Sequence, residues 1–156
     1  MMVSRVMTVV AVLAMMPIFA ASQNQEKKIK RSQLPPAVEK MVVEQSQGAT
    51  VRGFSREKEN GKTFYEAEWM VNGHNKDVLM DVDGSVVEVE EQIPTESLTP
   101  IVRNGLQAKA GTGQIVKVET LTKKGNLVAY EAQILTNGKP SEVQIGPDGK
   151  PLDHEE

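Results

Sequence analysis

Cysteine is absent from all 156 residues, so the chain can form no disulfide, no thiolate metal site and no lipidated cysteine behind a leader. Histidine is nearly absent. His74 follows an Asn-Gly pair and His154 lies near the end, at no spacing that gives a metal pair or a base beside a nucleophile. Both are expected at the surface. No glycine-rich phosphate loop precedes a helix, and no serine stands in a nucleophile elbow; Ser46, Ser55, Ser85, Ser97 and Ser141 fall in turns or at element ends. Excess positive charge is missing as well: 18 Lys and Arg stand against 21 Asp and Glu, a net charge of −3. That balance disfavours a nucleic-acid partner, whose phosphates must be neutralised. These absences lead to the expectation of a non-enzyme without a cofactor.

A long apolar run is also lacking. "MMVSRVMTVVAVLAMMPIFAAS", residues 1–22, has Arg5, an apolar stretch from Val6 to Ala20 and then small residues, the layout of a signal peptide. The stretch is shorter than the roughly 20 residues that cross a bilayer comfortably. The expectation is export to the periplasm or beyond, cleavage near Ser22, and no stable membrane anchor afterwards. Residues 23–33, "QNQEKKIKRSQ", are polar and lack aromatics, and read as a flexible tether. Their Lys27, Lys28, Lys30 and Arg31 read as a solvated run, with contact to an anionic surface as the alternative.

What is present beyond residue 33 is written twice. "YEAEWMVNG" at Tyr65–Gly73 returns as "YEAQILTNG" at Tyr130–Gly138. "LPPAVEKMVVEQ" is matched by "LTPIVRNGLQAK" from Leu98, and Asp83-Gly84 by Asp148-Gly149. The chain thus divides into repeat 1 at 34–93 and repeat 2 at 94–156. Pro36 and Pro100 stand at first-helical-turn positions, where a missing N–H costs nothing. Val38, Met41, Val42 and Gln45, then Val102, Gly105 and Leu106, follow helical spacing. Gly105 is expected to weaken its helix by about 1 kcal/mol relative to alanine.

The period then falls to two. Asn-Gly and Asp-Gly pairs between alternating runs predict hairpins with positive φ at both turn residues. Each repeat is expected to be one helix packed on a four-stranded antiparallel meander, an α+β fold. Alternation puts Tyr65, Ala67, Trp69 and Val71 on the helix side and Glu66 and Glu68 on the other. Val78, Met80 and Val82 oppose Asp77, Leu79 and Asp81; in repeat 2, Tyr130, Ala132, Ile134, Val143 and Ile145 oppose Glu131, Gln133, Glu142 and Gln144. The acidic run Glu88–Gln92 reads as a last strand kept soluble at an edge. Trp69, matched by Ile134, reads as core.

"LMDVDGSVVEVE" places Asp81, Asp83, Gly84 and Glu90 at calcium-loop offsets, but Leu79 stands where the first ligand belongs and repeat 2 keeps only the turn. A hairpin is the expected outcome, with a calcium or small-ligand sensor built on Asp81, Asp83 and Glu90 as the alternative function.

Helix, hairpin, then Tyr-Glu-Ala, a glycine turn and Asp-Gly (Tyr65-Glu66-Ala67, Gly73, Asp83-Gly84; Tyr130-Glu131-Ala132, Gly138, Asp148-Gly149) resembles the PepSY-like domains, and especially the tandem form grouped with the β-lactamase inhibitor protein. The resemblance implies a secreted or periplasmic binding module. PepSY domains occur in propeptides that restrain peptidases, and the inhibitor clasps an enzyme with its open sheet face. It implies a protein partner, such as a peptidase, on the face carrying Glu66, Glu68, Leu79, Glu131, Gln133 and Gln144.

Overall fold

Proline opens both helices of the computed structural model, which describes residues 26–46, 48–154 and 156. The leader expected at 1–22 lies outside these residues. Helix α1 spans Pro36–Gln45 and α2 spans Pro100–Ala110, each with proline at its first turn. Val38 and Val42 of α1, and Val102, Leu106 and Ala110 of α2, are buried, as their spacing predicts. Gln45 is exposed. Gly111, at φ 59°, ends α2.

The strands are β1 (Lys27–Lys28), β2 (Thr50–Glu59), β3 (Lys62–Val71), β4 (His74–Asp81), β5 (Val86–Ile93), β6 (Gln114–Lys123), β7 (Asn126–Thr136) and β8 (Lys139–Ile145). They form one eight-stranded antiparallel sheet in sequence order. The join is the β5–β6 pairing, from Glu88 opposite Lys123 to Ile93 opposite Val118. Both helices lie on one face, above two clusters of buried side chains. One gathers Val38, Val42, Phe54, Ala67, Trp69, Val78 and Met80, and the other Val102, Leu106, Val118, Ala132, Ile134 and Ile145. Trp69 is core as expected, with its indole N–H buried and without an acceptor.

Three expectations need correction. The meander after α1 has four strands, but the one after α2 has three, its fourth reduced to a single bridge between Ile145 and Pro151. "GKPLDHEE" supplies a proline and no alternating apolar residues, so it cannot donate a ladder. The tether is ordered where it is described: Lys27–Lys28 pairs with Arg56 and Ser55, Arg31–Gln33 forms a 3₁₀ turn, and Ile29 packs on the core. One apolar residue among the lysines was enough to dock it. Val82 is exposed rather than inward, because β4 ends at Asp81 and the chain turns there.

The turns divide into two kinds. Asn72-Gly73 (φ 51° and 85°) and Asn137-Gly138 (52° and 77°) have both residues in the left-handed region, as the hairpin rule requires. At Asp83-Gly84 and Asp148-Gly149 only the glycine has positive φ. The N–H of Gly84 bonds to the Asp81 carbonyl at 2.9 Å, and Asp83 Oδ1 accepts the Ser85 N–H at 2.8 Å. The Asp-Gly pair is also a packing point. A Cβ on Gly84 would lie 2.6 Å from the Ala37 carbonyl oxygen, and one on Gly149 2.5 Å from that of Ile101. Each Asp-Gly turn is pressed against the first turn of a helix.

Candidate functional site

Among the described residues, no helix lies on the face opposite α1 and α2. Antiparallel register arranges its side chains in rows. Ser55, Glu66, Leu79, Glu88 and Lys123 form one, and Gly53, Glu68, Asp77, Glu90 and Leu121 the next. Glu119, Glu131 and Gln144 continue the face into the second half. All six residues expected on this face, Glu66, Glu68, Leu79, Glu131, Gln133 and Gln144, alternate onto it.

They do not form one patch. Glu66 and Leu79 line a cleft of about 150 Å³ together with Glu26, Glu57, Asp77, Glu88 and Glu90. Glu66 is held there by the Ser55 hydroxyl, which donates to Oε2 at 2.5 Å. Glu68 sits beside the cleft, ion-paired with Lys28, whose ammonium also lies 3.2 Å from Glu26; the pairing raises the Lys28 pKa. Glu131 accepts from Gln144 Nε2 at 2.8 Å. Gln133 lies near Glu142, against Pro140 and Ser141, in a separate depression. Gln144 is buried, and its Oε1 accepts the Glu156 N–H at 2.8 Å. It is a support for Glu131 and offers little contact surface.

Alternation alone did not single out Glu57, Asp77, Glu88, Glu90 and Glu119. Glu88 and Glu90 read as edge residues only while β5 was taken for a last strand; its pairing with β6 places them at the centre of the sheet. The signal was the Val-Glu-Val-Glu alternation opposite Asp77 and Leu79.

Burial, and then the crowding of like charges, moves several carboxyls of this face. The Glu90 pKa is pushed up to about 8, first by burial and then by Glu131, Glu88, Glu119 and Asp77. Burial, with Glu66 and Glu119 nearby, raises Asp77 to about 6. Glu57 also rises through burial, as do Glu66 and Glu131, where hydrogen bonds from Ser55 and Gln144 oppose the effect. The shifts together reflect carboxyls partly withdrawn from water and set beside other carboxyls.

The calcium set Asp81, Asp83 and Glu90 is not assembled. Asp81 Oδ1 accepts the Val82 N–H at 2.5 Å and Asp83 caps its own turn. The carboxylate of Glu90 groups instead with Glu119 and Glu131, oxygens of all three lying within 4.8 Å of one another, as do those of Glu26, Glu66 and Glu68. Those two groups are where a cation can be held among the described residues. Each already has a lysine: Lys117 Nζ is 2.7 Å from Glu119, and Lys28 serves Glu26 and Glu68. His74 and His154 are exposed, as expected.

The second half of the face is more covered than the first. Leu121 and Ala129 alternate onto it yet are buried, and Glu156 is tied over it, bonded to Gln144 and 3.3 Å from Lys123 Nζ. The accessible chemistry is the acid-lined cleft on β2–β5. No helix among the described residues is long and apolar enough to cross a membrane.

No family model matches the chain, and no curated protein matches it in sequence. Solved structures do. A DUF2874 family protein from Bacteroides ovatus superposes with a TM-score of 0.59 at 18% identity, over 77% of this chain and 85% of its own. A Bacteroides eggerthii protein proposed to be periplasmic gives 0.60 at 16%, over 75% and 84%. A BLIP-like protein from Bacteroides fragilis gives 0.53 at 18%, over 77% and 83%. At such identities the likeness is one of fold: this chain has the fold of these DUF2874 and BLIP-like proteins.

Proposed function

We propose that this chain is an exported, non-catalytic binding module whose open sheet face docks a partner protein through a basic surface. The cleft lined by Glu26, Glu57, Glu66, Asp77, Glu88 and Glu90 over a floor that includes Leu79 carries the proposal. Burial, and then neighbouring carboxylates, raise Glu57, Glu66, Asp77 and Glu90 there, so a lysine or arginine side chain from a partner relieves the repulsion while Leu79 meets its methylene stem. The leader-like residues 1–22 and the periplasmic assignment proposed for one fold neighbour support an envelope location. The BLIP-like fold supports a sheet face used for protein contact. An envelope peptidase is one candidate partner.

Affinity capture from envelope extract tests this when two variants of equal charge are compared. Asp77→Asn with Glu90→Gln alters the cleft, and Glu44→Gln with Glu96→Gln alters the helix side. The first pair is expected to lose the captured partner and the second to keep it. Equal capture by both refutes the cleft.

A second reading, an envelope calcium sensor, draws on the grouping of Glu90, Glu119 and Glu131. A ligand that binds only the folded state raises its melting temperature. Unchanged melting between millimolar calcium and chelator rules that reading out.

A further inference from the structure

The helix face of the sheet is not wholly covered. A ten-residue helix is about 15 Å long, whereas a ten-residue strand runs about 33 Å. Helix α1 lies over Phe54, Ala67, Trp69 and Met80, and the ends of β2 and β3 project beyond it. A groove of about 660 Å³ remains there, lined by Arg56, Lys58, Lys62, Thr63 and Tyr65 together with Asp81 and Val82. Its size suits a small organic ligand.

The charge in this groove is the reverse of that in the cleft. Among the described residues, no carboxylate oxygen lies within 4.0 Å of the charged nitrogens of Arg56, Lys58 or Lys62. Register places Lys27 directly across from Arg56. Like charges opposite each other on neighbouring strands are destabilising. Glu57, which separates the two β2 cations, alternates onto the other face, and Asp81 is the one acid in the lining. On a chain with excess acid, three cations line one opening and Lys27 stands in register beside Arg56.

The second half of the sheet shows that folding does not need them. Thr120 opposes Tyr130 just as Arg56 opposes Tyr65, and Thr122 follows where β2 has Lys58. The tyrosine is kept in both places and the cations in one. A residue pair the scaffold can write as threonine is written as Arg and Lys only beside this groove.

We propose that the groove is a binding site for a small ligand bearing two or more phosphate or sulfate groups. Arg56 and Lys58 project from the same strand face roughly 7 Å apart, two residues along a strand, and so meet separate anionic groups. Lys62 and Lys27 flank them, the Thr63 hydroxyl donates to an anionic oxygen, and Tyr65 and Val82 offer an apolar wall to the body that carries the charges. Guanidinium and ammonium groups on phosphate or sulfate form charge-assisted hydrogen bonds, the stronger kind. A free ligand and a lipid headgroup present the same chemistry to the groove.

Calorimetric titration of the folded protein with tripolyphosphate tests the free form, and co-sedimentation with phosphatidylcholine vesicles containing phosphatidic acid tests the headgroup. Each arm compares the native chain with Arg56→Gln/Lys58→Gln and with the charge-matched Lys109→Gln/Lys139→Gln. The expected result is saturable binding in at least one arm, weakened tenfold or more by the groove pair and less than twofold by the control pair; the arm that binds identifies the source. Binding in neither arm overturns the proposal, as does equal weakening by both pairs. These ligands are anions, so failure of the acidic cleft to dock a partner leaves this result unaffected.

Discussion

Glu90 is the residue on which burial and like charge act together most strongly. Its carboxyl is raised from 4.5 to about 8. Below about pH 4.5 the group is protonated in folded and unfolded chains alike and has no effect on stability. Between 4.5 and 8 the folded chain holds a proton that the unfolded chain has released, so stability falls as pH rises. Asp77, raised to about 6, adds the same trend at the lower end of that window. Thermal melts are expected to show a higher midpoint at pH 5.5 than at pH 8.5. Glu90→Gln should raise the midpoint by several degrees at pH 8.5 and leave it nearly unchanged at pH 4.5. A variant no more stable than the native chain at pH 8.5 contradicts the crowding described for the cleft. Single residues were legible where alternation decided them: Ala67, Trp69, Met80, Ala132, Ile134 and Ile145 are all buried on the helix side. Glu119 was not legible, because its place beside Glu90 and Glu131 depends on which strands are neighbours.

Gly105 shows how an element can reverse a local rule. Glycine inside a helix ordinarily costs about 1 kcal/mol relative to alanine, so alanine there reads as an improvement. A Cβ at Gly105 would instead overlap the carbonyl oxygen of Gly149 and crowd the Ile145 side chain. Helix α2 packs on the Asp148-Gly149 turn at that point with no room for a methyl group. Gly105→Ala is expected to destabilise the fold by about 1–3 kcal/mol, the usual cost of overpacking, measurable as a lower urea midpoint with an unchanged slope. A higher midpoint would mean that the turn yields easily. Helix positions and the Asn-Gly hairpins were legible because proline, glycine and apolar spacing act over a few residues. The contact between Gly105 and Gly149 joins positions 44 apart and leaves no local trace. The same holds for the β5–β6 pairing, which turned an expected edge into the middle of the sheet.

The whole molecule carries charge of opposite sign on opposite faces: an acid-lined cleft across β2–β5 and, at the end of the helix face that α1 leaves bare, a groove of Arg56, Lys58 and Lys62. An eight-stranded sheet with helices on one side leaves the other open, and Glu26, Lys28 and the segment near Glu156 reach over it among the described residues. Binding through such a cleft should weaken with salt, since dissolved ions screen exposed charges beyond about 10 Å at 0.1 M ionic strength. Neutralising Asp77 and Glu90 should stabilise the free protein while weakening its complex, a pairing of effects that a purely structural role does not produce. The most direct measurement is amide chemical-shift mapping of the labelled protein, at pH 8.5, titrated with a deca-lysine peptide. The account predicts saturable shifts confined to the open face of β3, β4 and β5 around Glu66, Asp77, Leu79, Glu88 and Glu90, lost in the Asp77→Asn/Glu90→Gln variant. Shifts spread evenly over exposed acids, or centred on α1 and α2, would contradict it.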